Sequence, residues 1–185
     1  MKNFYVYVLV AVLTCFQGQA QTFRKISGKP AAINSTLQQL PAARSTEALN
    51  SLNDGFESYN DFSLDFAPWT LIDADGAETW GIEGVEFTNQ YSPMSFIIFN
   101  PSSTNPPMTS AAILPHGGLK IAACFASNGA TNNDWLISPP LSAGTNTSVS
   151  FWVKAYTAQY GLARYMVAAA TTGTDPADFT YISGS

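Results

Sequence analysis

The chain of 185 residues carries 13 acidic and 8 basic side chains, for a formal net charge of -5. Nucleic-acid binding along a phosphate backbone needs clustered Lys and Arg. From residue 54 onward the only ones are Lys120, Lys154 and Arg164, which excludes that class of function.

The N-terminus reads MKNFYVYVLVAVLTCFQGQAQ, with Lys2 as a short positive region, an apolar run over 4–16 and Gly18-Gln19-Ala20 as a small-x-small site. This pattern predicts a secretory signal peptide over 1–20. The run is shorter than the roughly 20 residues of a bilayer span, so no membrane insertion is expected after cleavage and the protein is expected to be secreted or at the cell surface. Lipidation at Cys15 is disfavoured, because Val12-Leu13-Thr14 lacks the leucine and small pair such a site needs. Cleavage then leaves Cys124 alone, with no disulfide framework. A nucleophilic Cys124 would need a partnered base. The only histidine is His116, in a Pro-His-Gly-Gly turn, and the simpler reading of Cys124 is a small apolar residue on the inner face of a strand.

Residues 21–53 place Arg24, Lys25, Lys29 and Arg44 among Ser, Ala, Gln and Pro, and read as a leader or linker. Within it, STEALNSLNDG could form a helical turn or two, capped by Ser45 and stopped by Gly55. The folded domain is expected over 54–185, where aromatic residues cluster and turn residues recur between short apolar runs. SVSFWVKAY alternates Val149, Phe151, Val153 and Ala155 with Ser150, Trp152 and Lys154, which predicts a half-buried strand. ARYMVAAAT repeats the pattern, with Tyr165, Val167 and Ala169 on one side. Weaker alternation marks 94–99 and 119–125, and turn clusters at 100–107 and 127–134 separate these runs. No helical period of useful length intervenes, so an antiparallel all-β fold is expected. At least one of Trp135 and Trp152 should enter its core.

Between residues 45 and 119 stand Glu47, Asp54, Glu57, Asp61, Asp65, Asp73, Asp75, Glu78, Glu83 and Glu86, without a single Lys or Arg. In extended backbone Asp73 and Asp75 project to the same side, about 7 Å apart. One hard cation could bridge them, and calcium, which takes about six to eight oxygens, suits such a surface. An EF-hand does not fit, because Gly76 is fourth and Gly84 twelfth in the window. Two readings stand: a calcium site assembled from separate loops, or a solvated turn in which Gly76 supplies a positive φ. The lack of a His or Cys cluster argues against a transition metal.

Five blocks in order carry a resemblance: GFES at 55–58, PWTLIDADG at 68–76 followed by Trp80, NDWLISPPL at 133–141, VSFWVKAY at 149–156 and ATTGTDPADF at 170–179. Together they resemble the cleaved adhesin family and its relative, the choice-of-anchor J domain. The resemblance implies a jelly-roll β-sandwich of antiparallel strands. It also implies a non-catalytic module of secreted and surface bacterial proteins, including the adhesin regions attached to gingipain-type proteases. It further implies a structural calcium ion, with Glu57 and Asp134 as donors beside Asp73 and Asp75. Family members often read Asp-x-Asp-Gly-Asp-Gly, whereas this chain has Asp73-Ala74-Asp75-Gly76-Ala77-Glu78, so one carboxylate is lost and Glu78 is a candidate replacement. The chain stops at Ser185, where the family would supply further strands, so a truncated sheet and further domains in a longer protein are expected.

The function expected from these residues is adhesion to a host or matrix protein. The alternative is a carbohydrate-binding accessory module that delivers a larger secreted hydrolase or protease to polysaccharide. Trp69, Trp80, Trp135, Tyr156 and Tyr160 are the candidate contact residues, with about two-thirds of them expected in the core. A glycosidase would need two carboxylates set across a cleft. Glu57 and Asp73 are instead expected to be loop acids that bind metal or face water, so no catalytic residue is assigned.

Overall fold

Short β-prone runs broken by Gly, Pro and Asn leave no stretch long enough for a helical core, and pairing between strands must close the backbone hydrogen bonds. The computed structural model describes residues 5–10, 49, 51–142, 148–159, 161 and 163–184. Among them are β1 (Tyr5–Val10), β2 (Thr70–Asp73), β3 (Ile97–Phe99), β4 (Ile121–Ala123), β5 (Asp134–Ile137), β6 (Leu141–Ser142), β7 (Met166–Ala170) and β8 (Thr180–Gly184). The larger sheet runs β2-β5-β1-β7-β8 with β6 also on β1, and β3 pairs with β4 in a second sheet. Every strand ladder is antiparallel, and the only helices among the described residues are two short 3-10 turns. The protein is mainly β, as the sequence predicts.

Strand β5 holds the body together. All four of its residues are buried, which a period-2 strand achieves only when both faces are covered. Trp135 and Ile137 pack with Ala168, Ala170 and Phe179, while Leu136 points the other way into Phe66, Phe96 and Ile98. A third cluster of Phe62, Met94, Ile97, Phe99 and Ile113 lies under the β3–β4 pair. The start of the domain is fixed by Asp54, which accepts from the Phe56 amide at 2.7 Å, the Tyr59 hydroxyl at 2.7 Å and the Trp69 indole at 2.8 Å. Burial and the Asp54 carboxylate push the Tyr59 phenol up to about 12. Further upstream, Leu49 exchanges backbone hydrogen bonds with Pro140 and Ser142 at 2.9 and 2.8 Å. Of the expected signal segment only 5–10 is described, as β1, and residues 21–48 of the leader lie outside the described residues.

One expectation about strands is corrected. Residues 149–156 form no strand, and every side chain from 148 to 159 is exposed. Alternation supplies a strand with a face, but a partner edge must also be open, and the edges of β5 and β7 are taken by β1. In β7, Met166, Ala168 and Ala170 face the Trp135 cluster, and Tyr165, Val167 and Ala169 share the other side. Val167 is buried on that side, so both faces of β7 are covered. Trp135 is 3% exposed and meets the expectation of one core tryptophan, whereas Trp152 is 78% exposed.

Candidate functional site

Antiparallel pairing of β2 with β5 sets Asp73 directly opposite Asp134. Asp73 ends its strand, and the chain then turns through Gly76 at φ 63°, a conformation that favours glycine. The Gly76 amide donates to Asp73 Oδ1 at 2.7 Å. This turn brings Asp75 back against the loop that precedes β5. Asp75 Oδ1 accepts from the Ala77 amide and the Ser127 hydroxyl, each at 3.0 Å, and its Oδ2 accepts from the Asn133 amide at 2.7 Å. The three carboxylates of Asp73, Asp75 and Asp134 each offer an oxygen within 4.8 Å of the others.

Asp134 is the least solvated of the three, at 1% exposure. Its Oδ2 accepts from Asn132 Nδ2 at 2.8 Å and from the Cys124 thiol at 3.4 Å. Its Oδ1 is buried and has no hydrogen-bond partner. A buried polar atom without a partner ordinarily costs about 1 to 3 kcal/mol, and more when charged. Burial, together with the Asp75 and Asp73 charges, pushes the Asp134 carboxyl up to about 7. Burial and the neighbouring Asp134 hold the Cys124 thiol well above its ordinary value, so it remains a proton donor to Oδ2. The donor set is hard oxygen, and the unpartnered Oδ1 on the most buried member fits a cation better than a solvated turn would.

The other acids of the basic-free interval are dispersed. Glu57 is not in the carboxylate group: its Oε1 accepts from the Leu119 and Lys120 amides at 2.8 and 2.9 Å. It docks over Gly118, where any Cβ would collide with its carboxylate. Glu78 also stands apart, its carbonyl accepting from the Asn128 amide at 2.7 Å. Asp61 meets Lys120, just beyond the interval, at 2.9 Å. Burial raises the Asp61 carboxyl, but hydrogen bonds from Ser103, Lys120 and Asn100 outweigh this and hold it below its usual value.

Asn132 and Cys124, the two side chains that orient Asp134, are not among the residues expected from sequence. The Asn-Asn-Asp run at 132–134 was the available signal for the first. The second had none, because its reading as a small apolar residue rests on composition. His116 lies stacked on Trp152, with ring centroids 3.7 Å apart. Of the candidate contact residues, Trp135 is buried, Trp69 is partly buried, Trp80 and Tyr156 are exposed, and Tyr160 lies outside the described residues. Of the four that are described, Trp135 lies in the core and Trp69 packs against it.

The family model of the Cleaved Adhesin Domain matches residues 53–183. The chain belongs to the cleaved adhesin domain family. No curated protein and no solved structure matches it. Membership points to an adhesion module that binds other molecules, to a surface or secreted location and to a non-catalytic role. Among the described residues of this cleaved adhesin domain, no helix is long and apolar enough to cross a membrane.

Proposed function

We propose that this cleaved adhesin domain is a secreted or cell-surface, non-catalytic adhesion module in which Asp73, Asp75 and Asp134 hold a structural calcium ion. The observation that carries the reading is the buried, unpartnered Oδ1 of Asp134, set among two further carboxylates. A calcium ion would neutralise charges that otherwise repel; Asp134 Oδ1 has both lone pairs to give it, and Asp73 Oδ1 and Asp75 Oδ2, which each accept one hydrogen bond, have a second lone pair. The ion would tie the end of β2 to the start of β5 and to the loop carrying Ser127 and Asn133. Rigid loops at that end of the sheet are what a binding module needs to present. Titration of the full chain with calcium chloride, followed by calorimetry, should show one site that is lost in Asp134→Asn. No binding, or equal binding by that variant, would defeat the assignment.

A polysaccharide ligand remains the second reading. Trp80 and Tyr91 are exposed on loops, and the Tyr91 ring lies against Gly81, beside Trp80. Such rings could stack on sugar faces or pack on a protein. Binding to immobilised matrix proteins and to polysaccharides, each compared with Trp80→Ala/Tyr91→Ala, separates the two ligands. Loss of polysaccharide binding alone in that variant would favour the sugar.

A further inference from the structure

We infer that residues 149–156 and β1 are alternative occupants of one position, the gap between β5 and β7. The inference rests on reading residues 1–20 as an export signal and is independent of the calcium assignment. Its first support is topology. In the order β2-β5-β1-β7-β8, β1 is the strand that comes from far upstream, and residues 149–156 lie in sequence between β6 and β7. Placing them in the gap would turn the sheet into a meander in which β5, 149–156, β7 and β8 are neighbours in chain order, the commonest kind of connection. Direction agrees as well. β1 is antiparallel to both β5 and β7, which is the direction of a strand returning between them.

The second support is the segment itself. Val149, Phe151 and Val153 alternate with polar Ser150 and Lys154, yet Val153 is 52% exposed and Phe151 39%. An apolar, strand-patterned segment in solvent is an unstable arrangement unless something covers it. Its contacts with the body include the stack of Trp152 on His116, Phe151 edge-on to Tyr165 at 5.9 Å, and Lys154 Nζ donating to the Ala111 and Leu114 carbonyls, none of which pairs its backbone into a sheet. The third support is supply. Removal of residues 1–20 takes β1 away and leaves facing edges of β5 and β7 with unpaired backbone groups. At about 3.3 Å per residue, residues 149–156 span at least the length that β1 covers. The exposed rings of Trp152 and Tyr156 therefore belong to a strand waiting for its place rather than to the ligand surface.

The test uses the 185-residue chain produced without export, so that residues 1–20 are retained. Val8 sits opposite Ala169 in the β1–β7 ladder, and Val8→Pro removes a ladder donor and denies β1 the gap. Hydrogen exchange of 149–156 should then slow by on the order of tenfold or more, as these amides enter the sheet. Val153→Pro alone should leave the melting midpoint nearly unchanged, and Val8→Pro/Val153→Pro should lose far more than the two single variants combined. Unchanged exchange of 149–156 in Val8→Pro would overturn the inference, and so would additive losses. Failure of Val8→Pro to fold would overturn it too, since an alternative occupant is meant to keep the sheet closed.

Discussion

At the residue scale, the carboxylates of Asp73, Asp75 and Asp134 are a liability without a cation and an anchor with one. Charges at this separation repel by on the order of 1 kcal/mol or more. Asp73→Asn keeps the oxygen that accepts from the Gly76 amide and removes only the charge. In chelator this variant should therefore melt above the wild type, and in calcium below it. The same order of midpoints under both conditions would show that the cluster holds no ion. Asp61 gives the pH dependence. Its folded value lies below the ordinary 3.8, so it contributes stability that is present above that pH and is lost as pH falls through the folded value. The wild type should be more stable than Asp61→Asn at pH 7, and the gap should close by about pH 2. A gap that persists in acid would mean that Asp61 acts through packing instead.

At the element scale, β5 is the strand the rest of the body depends on. Trp135 packs edge-on against Phe179 and donates its indole N–H to Asn133 Oδ1 at 2.8 Å, so Trp135→Ala should cost about 3 to 5 kcal/mol in denaturant unfolding. Trp152→Ala, at an exposed ring, should cost under about 1 kcal/mol. Equal losses would mean that 149–156 already lies in the sheet of the chain measured. The burial of Trp135 was legible because a large aromatic ring in an all-β domain has a place in the core, but the burial of Asp134 beside it comes from the covering of both faces of β5. The fate of 149–156 was not legible, because alternation states that a segment can be a strand and says nothing of which edge is open. The setting of Glu57 was not legible for a related reason. Its motif position says nothing of the Leu119 and Lys120 amides, more than sixty residues away in sequence, that its carboxylate reaches. Asp73 and Asp134 stand about sixty residues apart in sequence, and only the β2–β5 register shows that they are cross-strand partners.

At the scale of the whole molecule, the carboxylate group lies where the larger sheet meets the loops at 74–79 and 124–133, and a bound ion would couple them. An ion that binds only the folded state stabilises it by RT ln(1 + [L]/Kd), about 2.7 kcal/mol when free calcium is 100 times Kd. That coupling would hold these loops rigid without a cross-link through Cys124, the free cysteine among the described residues. The most direct measurement is a pair of thermal melts of the wild-type chain, in millimolar calcium and in excess chelator, with Asp73→Asn/Asp75→Asn alongside. A calcium-holding domain should lose several degrees on chelation, while the double variant should show no calcium response. A wild-type midpoint indifferent to chelation would contradict the structural calcium site and return Asp73, Asp75 and Asp134 to the role of a hydrogen-bonded turn.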